Sequence, residues 1–299
     1  MHEGATGAAP TRPAYPRGMP ELPEVEITAR RLSAAIAGAE VESVLAPGMV
    51  ALRSVKPPLD ALIGRRLDGI GRVGKMLMVE SGQLTLLIHL MSAGRLQLYD
   101  KRASPRDRRS RILIRIADGR ELRLREFGSK QRAWGKLISH DGVTDEEMVT
   151  TLGPEAWPAP PRADFAERIA LPRHLHPMLR DQRVLAGIGR SWVDELLWEA
   201  RLSPFKKGAD LSSDEVDRLH ASLELLGAAI DHYESEIDDT IPDKMPMPLR
   251  VHRRQGEPCP RCETTLQAVF FAEHLTTYCP KEQTGGRVLK DRRLSRLLK

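Results

Sequence analysis

The sequence predicts a chain of the α/β (α+β) class: one amphipathic helix, then a β-rich region, then a helical region ending in a short cysteine-bearing segment. Three observations carry this prediction. From 23 to 37 the apolar residues Val25, Ala29, Leu32 and Ile36 recur at steps of four, three and four, the spacing of one helix face. From about 40 to 140 the signal changes to runs with the period of two, separated by tight turns, as in half-buried strands. Past a proline-rich break at 152–161, "LGPEAWPAPP", the helical spacing returns.

The first helix is entered through "MPELPEVEITARRL", which begins at Met19 and sets Pro20, Glu21, Pro23, Glu24 and Glu26 before and within its first turns. Pro23 suits a first turn, where a missing N–H costs nothing, and Gly38 suits the C-terminal cap. In "RILIRIADGRELRLREF", Ile112, Ile114 and Ile116 alternate with Arg111 and Arg115 up to Asp118-Gly119, a hairpin signature. "GKMLMVESGQLTLLIHL" reads as a second hairpin turning at Ser81-Gly82, with His89 as a core residue of its apolar strand.

Beyond the break, two helical stretches in "LRDQRVLAGIGRSWVDELLWEARLSP" (179–204) meet at Gly187-Ile188-Gly189, and Ser191 with Asp194 suits a capping box for the second. Glycines beside a helix start suit a phosphate held by free N–H groups, or equally a tight helical hairpin with no ligand. Trp192 and Trp198, six apart, are expected in the core. Val216, Leu219, Leu223, Leu226 and Ile230 form a further stripe opened by Ser212 or Ser213, and "PDKMPMP" at 242–248 reads as a loop.

With 299 residues the chain can form about two domains, and 41% hydrophobic with 29% charged residues is ordinary for a globular protein. No apolar run approaches the ~20 residues of a membrane span. Residues 1–18 lack the apolar centre of a signal peptide and read as a flexible leader, so a cytoplasmic location is expected. The net charge is +5, and the last 19 residues hold seven Lys/Arg against two Asp/Glu, so the basic tail carries all of it. Such a tail suits a polyanion.

Cys259, Cys262 and Cys279 are the only cysteines, and an odd cluster of this kind points to metal rather than disulfides. "CPRC" at 259–262 followed by Cys279 supplies three of the four ligands of a tetrahedral zinc site. The partner expected three residues after Cys279 is Glu282; Glu282 or His274 would complete the shell.

Pro20 raises a chemical question. An internal proline has no nucleophilicity, whereas an N-terminal one is a secondary amine with a pKa of ~8, much lower than the ~10.4 of lysine. A neighbouring helix start disfavours its protonated form further. Such an amine attacks an aldehyde-like carbon to form an iminium, and Glu21 beside it could move protons. This requires Pro20 to be the mature terminus, and the in-frame Met19 makes a start there the simpler expectation.

From Met19 to about Gln283 these pieces resemble, in order, the formamidopyrimidine-DNA glycosylase/endonuclease VIII family, closer to the first branch. The carriers are "MPELPEVE", "GRVGKML" with Lys75 55 residues after Pro20, "HLMSAGRL", "LGPEA", "DQRVLAGIGRSWVDELLW" and "VHRRQGEPCPRC". The resemblance implies a β-sandwich with a leading helix, a helix–two-turns–helix DNA-binding module and a zinc-finger-like hairpin. In numbers, it implies a leader at 1–18, a catalytic domain at 19–145, the DNA-binding module at 150–248, the finger at 249–285 and a basic tail at 286–299.

It further implies a base-excision-repair glycosylase that removes oxidised bases and cuts the abasic site as a lyase, acting as a monomer on damaged double-stranded DNA near the nucleoid. Pro20 would be the nucleophile, Glu21 the proton donor and Lys75 a catalytic or phosphate-contacting cation, while Glu24 matches a further acidic position. DNA contacts would come from Gly189, Arg190, His176, His274 and Arg132, and Zn2+ would sit on Cys259, Cys262 and Cys279.

Four departures mark the chain: eighteen residues precede Met19, position 282 lacks cysteine, the finger arginine falls at His274, and the phosphate-binding asparagine and lysine fall at Arg190 and His176. Arginine at 190 keeps a phosphate contact, being a good bidentate ligand. Met91, Gln131, Arg132 and Trp134 are the candidates to fill the gap left by a flipped base. The loop that caps 8-oxoguanine has no counterpart in "DDTIPDKMPMPLR", so the sequence does not point to that base as the main substrate. The alternative reading is a module of the same fold that binds damaged or abasic DNA without cutting it.

Overall fold

The computed structural model describes residues 19–48, 50–104, 107–271 and 274–289, without the side chains of Phe271 and His274. The leader and the tail from 290 onward lie outside the described residues. Helix α1 (Leu22–Ile36) is followed by eight strands: β1 (Val41–Leu45), β2 (Gly69–Val73), β3 (Met76–Ser81), β4 (Leu84–His89), β5 (Gly94–Tyr99), β6 (Ser110–Ile116), β7 (Glu121–Glu126) and β8 (Trp134–Ser139). Six helices follow: α2 (Glu147–Thr150), α3 (Arg162–Ile169), α4 (Leu175–Leu179), α5 (Arg190–Glu199), α6 (Ser213–Ser222) and α7 (Glu224–Glu236). The hairpin β9 (Gln267–Phe271) and β10 (His274–Tyr278) and the short α8 (Pro280–Thr284) end the described chain.

The strands form two antiparallel four-stranded sheets in the orders β1-β6-β7-β5 and β2-β3-β4-β8. Ile112, Leu122 and Leu124 from one sheet and Leu77, Leu86 and Leu137 from the other are all buried in one sandwich core. The predicted hairpins are both present. Ile116 and Arg120 close the turn at Asp118-Gly119, while the other loop is Gly82-Gln83, one residue later than the sequence suggested, because Ser81 still pairs with Leu84.

That core runs without a break through α1 into the helical region, taking in Leu22, Val25 and Leu32 with Val193, Leu219 and Ile230. Each such side chain contributes ~1.5–3 kcal/mol on burial. The last sequence stripe is split in two at Leu223, with Ser212 as the N-cap of α6 accepting from the Glu215 amide. The finger has its own small core of Trp198, Val251, Cys259, Leu266 and Cys279. Both tryptophans are therefore core residues, but of different cores.

Candidate active site

The centre of the molecule is the contact between the start of α1 and the start of α5. Leu22 donates its N–H to Gly187 O at 3.0 Å, and the Glu21 carboxylate accepts from the amides of Gly189 (2.6 Å), Ser191 (2.8 Å) and Trp192 (3.2 Å). A carboxylate at a helix N-terminus satisfies orphan donors and meets the positive end of the dipole. The close approach of the glycine joint is therefore toward the protein itself. A Cβ at Gly189 would stand 2.2 Å from the Glu21 carboxyl carbon, and one at Gly187, whose φ is +98°, would stand 2.5 Å from Leu22. Two sequence expectations are corrected here. The α5 donors hold Glu21 rather than a phosphate, so Gly189 is not a DNA contact through its amide, and the cap is Glu21 rather than a box from Ser191 to Asp194.

Glu24 lies one turn further along α1, fully buried. It accepts from Tyr233 Oη (2.5 Å), Trp192 Nε1 (3.2 Å) and the Glu21 amide (2.9 Å). Burial first, and then the charge of Glu21, push its pKa up from 4.5 to about 7. Burial and the Glu24 charge push the Tyr233 phenol up as well. Lys75, in the turn between β2 and β3, donates to Ile188 O at 2.7 Å. Burial depresses its pKa, and Arg180 and Arg190 add to this against the opposing pull of Glu21 and Glu24. His89 accepts from the Met91 amide at 2.9 Å and is held neutral, with its pKa lowered to about 4 by burial and then by Lys75 and Arg53.

Pro20 is buried and lines a cavity of about 660 Å³ together with Glu24, Arg95, His232, Met245 and Met247. The far wall belongs to the segment that reads as a loop in the sequence. Gln97 Nε2 pins it to the sandwich by donating to Ile241 O (2.7 Å) and Asp243 Oδ1 (3.0 Å).

The expected DNA contacts are placed unevenly. Arg190 is the first residue of α5, beside the Glu21 clamp, and Arg132 is exposed just before β8. His176 is a correction: it is buried, with Nε2 3.3 Å from Asp194 and 3.2 Å from the Thr276 hydroxyl. His252 Nδ1 binds the same Asp194 at 2.7 Å, so the pair of histidines joins α5 to the finger instead of facing a groove. The His274 side chain lies outside the described residues. Of the gap-filling candidates, Trp134 is buried under Arg53 at 4.2 Å, Gln131 is tied to Arg111 at 2.9 Å, and Met91 adopts a left-handed φ of 51°.

The Sγ atoms of Cys259, Cys262 and Cys279 lie within 4.8 Å of one another, and those of Cys262 and Cys279 are 3.4 Å apart. Sulfurs sharing a tetrahedral zinc stand about 3.8 Å apart, so these three fit the metal. Glu282 does not join them: its carboxylate is 3.2 Å from Arg201 and 3.4 Å from Arg261, and Arg261 in turn stacks on Trp198 at 4.0 Å. Zn2+ held by the three thiolates would tie the knuckle to the end of β10.

Fold and site define a class: a β-sandwich and a helical module joined through a buried carboxylate clamp, with a proline at the mouth of α1 lining a cavity. The chain matches the models for the formamidopyrimidine-DNA glycosylase N-terminal domain (residues 19–130), its H2TH domain (152–240) and the zinc finger found in FPG and IleRS (256–281). It is 34% identical to the formamidopyrimidine-DNA glycosylase of Roseiflexus over 284 residues, covering 89% of this chain and all of that one. Its structure superposes on Lactococcus lactis Fpg with abasic-site DNA at a TM-score of 0.80 and 29% identity, covering 88% and 99% of the two chains. The same protein with DNA containing N7-benzyl-Fapy-dG gives 0.79 and 30%, covering 89% and 100%. The chain belongs to the formamidopyrimidine-DNA glycosylase family.

Proposed function

We propose that this protein is a base-excision-repair DNA glycosylase and abasic-site lyase that uses the Pro20 amine on oxidised bases in duplex DNA. The observation that carries the reading is Pro20 at the wall of a cavity shared with a carboxyl that titrates near neutrality, Glu24. The amine attacks C1′ of the flipped nucleotide, the C1′–N bond breaks, and the base leaves with a proton. The nitrogen then loses its own proton, the C1′–O4′ bond opens with O4′ taking a proton, and the nitrogen lone pair makes the C1′ iminium; this acidifies C2′, and loss of a C2′ proton expels the 3′ phosphate. Glu24 is placed to exchange protons at pH 7. Glu21, next to the amine and held in place by the α5 amides, is the proton donor. Buried Lys75 supplies positive charge beside Glu21. The three cysteines and Zn2+ make the finger, the domains divide near 145–150 and 248, and the protein works as a monomer on the nucleoid in the cytoplasm.

Borohydride trapping on abasic DNA tests this, with proteins begun at Met1 and at Met19. The Met19 form, trimmed to Pro20, is expected to trap and its Pro20→Gly variant to lose most of the adduct. If neither form traps while both bind the DNA, the lesion-binding reading replaces the enzyme.

A further inference from the structure

β5 is the edge strand of its sheet, and its side chains divide between two faces. Leu96 and Leu98 pack on the sandwich core, while the alternate residues Arg95, Gln97 and Tyr99 share the other face. On that face one chain of hydrogen bonds runs from the sandwich to the helical region. Arg125 Nη1, from the neighbouring β7, donates to Tyr99 Oη at 2.6 Å, and Tyr99 Oη donates to Gln97 Oε1 at 2.8 Å. The Gln97 amide nitrogen then makes both of its bonds to one segment, with Ile241 O at 2.7 Å and Asp243 Oδ1 at 3.0 Å. Tyr99 thereby settles which way the amide is turned: flipped by half a turn, its oxygen would face the Ile241 carbonyl, and two acceptors would meet. Gln97 is buried, so a bond lost here leaves a polar group with no water to replace it.

The segment that Gln97 holds is itself stiff. Pro242, Pro246 and Pro248 fix three φ angles within 242–248. Met247 donates its N–H to Met245 O at 2.9 Å, and Leu249 donates to Met247 O at 2.8 Å. Ile241 and Met245 are buried in the main core. Met245 and Met247 line the Pro20 cavity from this side, and Arg95 lines it from β5, two residues before Gln97 on the same face. A thioether is polarisable and apolar, which suits the flat face of a nucleobase.

We propose that Gln97 and Tyr99 fix the seat of the extruded base: by holding Ile241 and Asp243 they set Met245 and Met247 as a wall that stands before DNA arrives. A wall already in place needs no ordering when the base enters, and it discriminates by fit to one shape. The inference rests on the glycosylase reading above and specifies which residues decide how the base is held while Pro20 attacks C1′. Gln97 and Tyr99 act through the methionines, so they are positioning residues.

The test uses the Met19-start protein, trimmed to Pro20, on three duplexes that carry ring-opened formamidopyrimidine guanine, 5-hydroxyuracil or an abasic site. An abasic site has no base to seat, so it reports the amine chemistry without the wall. Gln97→Leu is expected to slow single-turnover base release roughly tenfold, to change the ratio between the two bases, and to slow cleavage of the abasic duplex far less. Hydrogen exchange at the Met247 and Leu249 amides should quicken in the same variant. Tyr99→Phe, which removes one oxygen, should move each readout the same way by a smaller amount, and it serves if Gln97→Leu does not fold. Parental base release and exchange in both variants overturn the proposal, and so does an equal loss on all three duplexes, which is the mark of general destabilisation. A parent that cleaves the abasic duplex but releases neither base overturns the seat while the lyase reading stands. A parent that releases a base but never traps on borohydride overturns the Pro20 reading instead and leaves base release to judge the seat.

Discussion

The α1–α5 junction and the finger are both small polar assemblies, yet they are held in opposite ways. At the junction a buried carboxylate is saturated by three backbone amides and embedded in the main core. In the finger five residues make a separate core, and the glutamate at 282, turned away from the cysteines, is bound to two arginines. The first is held by hydrogen bonds inside the main core; the second has three thiolates that an ion would tie together. Buried amides left without partners cost ~1–3 kcal/mol each, whereas a satellite core of this size contributes little on its own.

The largest effect that would break this contrast is expected at the junction. Gly189→Ala puts a methyl into the Glu21 carboxyl group and should cost about 3 kcal/mol, seen as a Tm drop of roughly 6–12 °C. An unchanged melt would mean the clamp is loose. In the finger, chelation should expose the amides of 251–284 to hydrogen exchange while those of α1 and β4 stay protected. Glu282→Cys, which completes four thiolates, should slow zinc loss measured with a metal indicator. Equal protection in both regions after chelation would show that the finger stands without metal.

An effect of similar size, read against pH, sharpens the junction itself. Because the folded pKa of Glu24 is raised to about 7, the folded protein binds a proton there that the unfolded chain releases near 4.5. Stability from this group is therefore present below about 4.5 and is lost as pH rises toward 7, by about 3 kcal/mol. Glu24→Gln removes the titration, so its Tm relative to the parent should climb between pH 5 and 8. A constant difference across that range would place the neutral-pH proton elsewhere.

Much of the frame was readable from spacing. The β6–β7 hairpin announced itself because its turn residues and its alternation are local, and Ser212 capped α6 for the same reason. The residues at the centre were recognisable from the opening motif, but their partners were not. The cap of α5 is supplied from 168 residues away, so no window on the sequence contains both. His176 misled for the converse reason: its position suggested a groove, and Asp194, eighteen residues on, turned it inward.

The clamp on Glu21 has a consequence for synthesis. The start of α1 is made first, but the groups that hold Glu21 and Glu24, Gly187–Trp192 and Tyr233, leave the ribosome much later. A nascent chain, or a fragment broken before 187, carries the proline but has nowhere to hold it. The clamp is thus complete only when the molecule is nearly whole.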